Sequence, residues 1–217
     1  MSDDRQALTG QQIHDEGLDG WRKVLDRLTV RYATGDFNAG TALVTEIAQA
    51  ADEADHHPDV ELRYPHVTVS LKSHDVGAIT ARDVRLARVI SGLAQARGIA
   101  TTPHAPDVLE LALDTPDREA VKPFWAAVMG FDVGDEEVTD AATRLPSIWF
   151  QDTDSSAPDR QRWHLDLSVP HDVLQERMAA AIDAGGRLVS DAHAPAFWVL
   201  ADGDDNLVCL CTWESRD

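Results

Sequence analysis

The residues best equipped for chemistry are Asp55-His56-His57-Pro58, with His74 and Asp83 further along the chain. An imidazole titrates near neutral pH, so histidines converging on one pocket can give and take protons without a cofactor. Proline fixes its own backbone and disfavours helix at the residue before it, which places the histidine pair at a forced helix exit. A zinc site would also use histidines, but consecutive residues rarely both reach one ion, and this half of the chain holds no cysteine. Asp83 has a structural reading beside the chemical one, since Thr80 and Asp83 stand at the spacing of a helix capping box. On residue types alone, His56, His57 and His74 form either a proton-transfer cluster or ordinary polar surface. His66, His104, His171 and His193 read as structural or solvated.

The surrounding pattern says what must position these groups. Leu18 to Leu28 reads as a first helix and Leu28 to Ala33 as a strand with Leu28, Val30 and Tyr32 on one face. Asp36 or Asn38 caps a second helix, whose Leu43, Val44, Ile47, Ala50, Ala51 and Ala54 recur at helical spacing. Tyr64 to His74 alternates strictly, with Val67, Val69 and Leu71 on one face and His66, Thr68, Ser70, Lys72 and His74 on the other. A third helix starts at Thr80, buries Leu86, Val89, Ile90, Leu93 and Ala94, and stops at Gly98. An antiparallel sheet with three helices on one face is an α+β architecture.

Two prolines within Thr101-Thr102-Pro103-His104-Ala105-Pro106-Asp107 mark a linker, which divides the chain into residues 1–100 and 108–217. Beyond it the pattern repeats at a period of about 54 residues. Leu109 to Leu113 with Pro116 matches Trp163 to Leu167 with Pro170, and the helix that follows each strand closes in glycine, at Gly130 and at Gly185-Gly186. Strand-like stretches come after each helix, at Ser147 to Gln151 and at Phe197 to Leu200 with Leu207 to Thr212, so two tandem βαβββ units are expected. Trp125, Trp149, Trp163 and Trp198 read as core.

At 217 residues, 43% hydrophobic and 26% charged, the chain has enough apolar material for two packed cores. Acidic residues outnumber basic ones 38 to 19, a field that repels phosphate backbones and anionic lipids, so nucleic acid and membrane partners are not expected. The start, Met1-Ser2-Asp3-Asp4, lacks the basic and then apolar pattern of a secretory signal, and no apolar run approaches the roughly 18 residues that span a bilayer. A cytoplasmic location is the expectation. Cys209 and Cys211, the only cysteines, sit on one face of a strand, a spacing that suits neither a redox pair nor a disulfide framework.

Asp55-His56-His57-Pro58, then five residues to Tyr64, nine more to His74 and eight more to Asp83, resembles the pattern of the pterin-4a-carbinolamine dehydratases. The resemblance runs over roughly residues 8 to 98 and takes in Trp21, placed on the first helix, Asp36-Phe37, and Thr80 to Ile90. It implies a cofactor-free hydro-lyase that expels the 4a-hydroxyl of a tetrahydropterin carbinolamine to give the quinonoid dihydropterin. It further implies that His56 and His74 transfer protons, that Asp83 orients or polarises a histidine, and that His57, Pro58, Asp52 and Tyr64 hold the substrate. A homo-oligomer, dimer or tetramer, goes with it. Val60 stands where the family often carries an aromatic residue, and Asp52 represents the acid of the preceding helix.

Residues 109 to 213 resemble a glyoxalase-like domain of the vicinal oxygen chelate superfamily, through Phe124-Trp125 before Gly130-Phe131 and Asp202-Gly203 with Asn206 before the last strand. In metal-dependent members four strand residues meet at one divalent ion, and the corresponding positions are Glu110, Gln151, His164 and Cys209. Cysteine in place of the usual final carboxylate favours softer metals, so the set reads as a lost or altered site and no metal is assigned. Two other functions stand beside the dehydratase: a non-catalytic dimerisation or binding protein, and a metal-dependent C-terminal enzyme of glyoxalase or dioxygenase type with an auxiliary first domain.

Overall fold

The computed structural model describes residues 4–102, 107–129, 131–141, 145–154, 163–183, 185–201 and 207–216, without the side chains of 124 and 127–129. Much of the expected linker, including His104, therefore lies outside the described residues, as do the Phe124 side chain, Gly130, Asp202, Gly203 and Asn206. The chain forms two compact units, Met1–Pro106 and Asp107–Ser215. Among the described residues no helix is long and apolar enough to cross a membrane.

The first unit runs α1 (Gly10–Asp15), β1 (Arg22–Val24), β2 (Arg27–Ala33), α2 (Phe37–Ala54), β3 (Asp59–Arg63), β4 (His66–Leu71), α3 (Ala81–Ala96) and β5 (Ala100–Thr101). The strands are antiparallel in the order β1-β2-β4-β3, and short β5 pairs with the end of β2. Period-two alternation sends Leu28, Val30 and Tyr32 of β2 and Val67, Val69 and Leu71 of β4 into one core. Ile13 of α1, Leu43 and Ile47 of α2, and Leu86, Ala87, Ile90 and Ala94 of α3 fill the same core. Gly40 lets α2 approach β3, because a Cβ there would meet Leu62 Cδ1 at 2.6 Å.

The N-terminal stretch departs from expectation. Leu18 to Leu28 is not a helix: the helix lies earlier, at Gly10–Asp15 behind a capping box made by Thr9 and Gln12, and β1 and the start of β2 occupy the expected span. Tertiary pairing overrides local propensity here, as Arg22 to Val24 find partners in Arg27 to Thr29 across a short turn. Trp21 thus sits ahead of β1, buried, with its indole N–H donating to Ser91 Oγ at 2.9 Å. Val89 is exposed at 49%, and the buried stripe of α3 passes through Val84 and Ala87 instead. The alternating strand is shorter than expected, ending at Leu71, and His74 lies on the following turn. Asp36 caps α2, accepting from the Ala39 amide at 2.8 Å.

The second unit runs β6 (Val108–Thr115), α4 (Arg118–Met129), β7 (Asp132–Val133), β8 (Glu137–Thr139), β9 (Ile148–Asp152), β10 (Trp163–Ser168), α5 (Leu174–Asp183), β11 (Arg187–Ser190), β12 (Phe197–Ala201) and β13 (Leu207–Cys211). The order strand, helix, three strands occurs twice, and all eight strands join one mixed sheet, β11-β12-β13-β10-β6-β9-β8-β7. Its two central inter-repeat strands, β6 and β10, pair antiparallel, while β6–β9 and β10–β13 are parallel. Two apolar clusters form, one around Leu113, Ile148 and Phe150 and one around Leu174, Trp198 and Leu210. Trp125 and Trp163 meet edge to face at 5.0 Å against the first cluster, whereas Trp149 stands edge-on to His164.

Tyr32 supplies a test of the first core. Burial pushes its phenol above the ordinary tyrosine value, only partly offset by hydrogen bonding to Ser91. The fold therefore keeps a proton that the unfolded chain loses above about pH 10, and stability must fall as pH rises through that region. Tyr32→Phe should flatten this loss in urea denaturation followed by circular dichroism, at a cost of about 1 kcal/mol or less at neutral pH. Identical alkaline slopes for the two proteins would contradict the assignment.

Candidate functional site

The site is built where α2 ends and α3 begins. Asp55 closes α2 in the left-handed conformation, φ 47°, and the His56 amide reaches back to the Ala51 carbonyl at 3.1 Å. This tight exit sends the two histidines to different environments. His56 turns inward and is buried, and its Nε2 lies 2.7 Å from Asp83 Oδ1. His57 stays exposed and pairs with Asp52 Oδ1 of the last turn of α2 at 3.0 Å. Such an exposed pair contributes about 1 kcal/mol at most.

Asp83 is fully buried at position N3 of α3, where the positive end of the helix favours an anion. Both readings of this residue hold at once, because its two oxygens divide the work. Oδ2 accepts from the Thr80 amide at 2.7 Å, completing the capping box, and from Ser73 Oγ at 2.7 Å. Oδ1 faces His56. A carboxylate offers only lone pairs, so against an ionised Asp83 the His56 Nε2 would be the donor and Nδ1 the nitrogen turned away from this contact. Ser73, having given its proton to Asp83, accepts from Thr80 Oγ1 at 2.8 Å.

His74 follows Ser73 directly and is exposed on the turn that leads to α3. The chain of contacts His56–Asp83–Ser73 thus anchors the backbone next to His74. Beside it, the Arg82 guanidinium donates to Asp75 at 2.6 Å and holds that carboxyl below the usual carboxylate range. Pro58 leads into β3. Tyr64, 70% exposed, lies at the other end of that strand, on the turn to β4, since Asp59 pairs with Ser70 and Arg63 with His66. Ser73 was not singled out from the sequence, although it occupies the next core-facing position after Val67, Val69 and Leu71, where a polar residue needs a reason.

In the second unit His164 and Cys209 do come together, but with Asp166 as the third member: their donor atoms all lie within 4.8 Å of one another. Glu110 is outside that group, at the position opposite Asp166, and Gln151 is exposed opposite Asp114. Of the four strand positions, His164 and Cys209 belong to this group. Asp166 and Asp114 were missed in the sequence, where the signal was Asp166 two residues from His164 on the same strand face.

The family profile of Pterin 4 alpha carbinolamine dehydratase matches residues 6–93, and that of the Glyoxalase-like domain matches residues 110–211. A protein from Thermosynechococcus vestitus named "Putative pterin-4-alpha-carbinolamine dehydratase" is 46% identical over 77 residues, 36% of this chain and 81% of that protein. One of the same name from Nocardia farcinica is 37% identical over 95 residues, 44% of this chain and 95% of that protein. A solved structure described as a transcriptional coactivator/pterin dehydratase from Brucella melitensis covers 41% of this chain and 99% of its own at 29% identity, with a TM-score of 0.40.

The buried and exposed histidine pairs should respond differently to truncation. Asp83→Ala leaves His56 buried without its acceptor and strips the α3 cap, and should cost about 3 kcal/mol or more in urea denaturation. His57→Ala removes only the exposed pair and should change stability by about 0.5 kcal/mol or less. Equal effects of the two substitutions would refute this division.

Proposed function

Through its N-terminal domain the chain belongs to the pterin-4a-carbinolamine dehydratase family, and from that membership we propose that it dehydrates a 4a-hydroxytetrahydropterin to the quinonoid dihydropterin, with the C-terminal glyoxalase-like domain as a fused small-molecule-binding module. The reaction breaks a C–O bond whose leaving group is hydroxide, a poor one. One group must protonate the departing oxygen while another takes the proton from the adjacent ring nitrogen, so that water leaves and a C=N bond forms. His56 and His74 are the proton-transfer residues in this reading, and Asp83 is the positioning residue that fixes the His56 ring. His57, with Asp52 and Pro58 beside it, would hold the pterin at the rim. Tyr64, which the resemblance also assigns to the substrate, is exposed at the far end of β3.

The observation that carries the reading is the buried 2.7 Å contact between His56 and Asp83. It orients an imidazole at a helix exit, and Ser73 ties the same carboxylate to the turn that bears the second imidazole. A protein that served only to dimerise has no need of all three histidines, His56, His57 and His74.

The test is the rate of quinonoid dihydropterin formation from enzymatically generated 4a-hydroxytetrahydropterin, with chelator present. The full chain should accelerate it well above the spontaneous rate. His74→Ala, which removes an exposed side chain, should lower kcat by about 10²- to 10⁴-fold with an unchanged circular dichroism spectrum. An unaltered rate in that variant would remove His74 from the mechanism, and no acceleration by the wild type would leave the domain as a binding module.

A further inference from the structure

One face of the eight-stranded sheet carries polar groups that neither apolar cluster accounts for. Strand alternation places Asp114 of β6, Trp149 of β9, His164, Asp166 and Ser168 of β10, and Cys209 of β13 on this face. Among the described residues, four buried side-chain oxygen atoms lack a hydrogen-bond partner, and three of them are here: Asp114 Oδ1, Asp166 Oδ1 and Ser168 Oγ. Asp166 is only 4% exposed. A buried carboxylate oxygen left without a partner costs about 1–3 kcal/mol or more, so a water or a bound cation beside it would be stabilising.

His164 lies between the two carboxylates and hydrogen-bonds neither orphaned oxygen. Its Nδ1 is 3.4 Å from Asp114 Oδ1 and its Nε2 is 3.6 Å from Asp166 Oδ1. That second separation suits shared coordination better than a direct bond. With zinc–nitrogen and zinc–oxygen bonds of about 2.0–2.1 Å, a tetrahedral angle puts the two donors about 3.4 Å apart. Cys209 is the strand partner of Asp166, and its donor atom completes a group within 4.8 Å.

We propose that His164, Asp166 and Cys209 bind a thiophilic divalent cation of the zinc class, with Asp114 holding the His164 ring from behind. A nitrogen, oxygen and sulfur set selects zinc over magnesium or calcium, which take oxygen ligands. Donation of the Nδ1 proton to Asp114 would satisfy that orphaned oxygen and present the Nε2 lone pair to the ion, the usual support of a metal-bound histidine. Three protein donors leave a fourth position for water or a small ligand. Glu110 and Gln151 take no part, so the site is offset from the four strand positions toward Asp166.

The experiment uses the full chain, reduced and stripped of metal, titrated with zinc by calorimetry and with cobalt(II) by absorption. One equivalent should bind, and the cobalt form should show a near-ultraviolet thiolate-to-metal band with intense visible bands of tetrahedral coordination. Cysteines occur only at 209 and 211, so this band separates the site from the N-terminal histidines. Cys209→Ser should abolish the band while Cys211→Ser keeps it. Asp166→Asn should weaken zinc binding at least 100-fold, Asp114→Asn by about 10- to 100-fold, and Glu110→Gln by less than twofold. Absence of the thiolate band in the folded wild type would overturn the proposal whatever the variants do. Equal losses in Glu110→Gln and Asp166→Asn would also overturn it, by placing the ion at the four strand positions.

Discussion

The carboxylate of Asp83 is the point on which the N-terminal domain turns. A fully buried anion is tolerable only if most of its lone pairs are used, and here a backbone amide, a serine hydroxyl and an imidazole use them. These donors come from the α3 cap, the turn after β4 and the exit of α2. One residue thereby fixes the start of its own helix, the turn before it and the distant exit of α2. The helix cap and the histidine alignment cannot be separated energetically, because they share a single charged group.

The exit of α2 adds a second constraint. Asp55 in the left-handed region reverses the chain within one residue, so that adjacent imidazoles acquire opposite environments, one desolvated and one in water. The hydrophobic core beneath makes this stable. Leu43, Ile47 and Ala51 hold α2 against the sheet, and Leu86 and Ile90 hold α3 beside it. The polar network therefore rests on two packed helix termini and the turn that joins β4 to α3.

The C-terminal domain presents the opposite electrostatic situation. Asp83 is surrounded by donors, whereas Asp166, almost as deeply buried, has an oxygen with no hydrogen-bond partner among the described residues and an imidazole standing just beyond hydrogen-bonding range. The first arrangement is complete in itself; in the second, His164 Nε2 and Asp166 Oδ1 stand 3.6 Å apart. The second depends on strand register, since a shift by one residue would turn Asp166 and His164 to the opposite side of the sheet.

The sequence by itself determined the elements with strong periodicity: the alternation of Val67, Val69 and Leu71, the helical recurrence of Leu43, Ile47 and Ala51, and the capping box of Thr80 and Asp83. It also determined the histidine group, because proline and helix-stop chemistry act over a few residues and are legible locally. The strands β1, β3, β7, β8 and β11 were not legible, since they are short and form only where a partner strand offers its edge. The tertiary structure alone decided that Asp83 faces His56, that Ser73 joins them, and that Asp166 displaces Glu110 as the neighbour of His164 and Cys209. The contacts of His56 with Asp83 and of Asp166 with Cys209 join distant segments and are set by helix docking and strand register, whereas Ser73 and the His164–Asp166 spacing leave only a faint local signal.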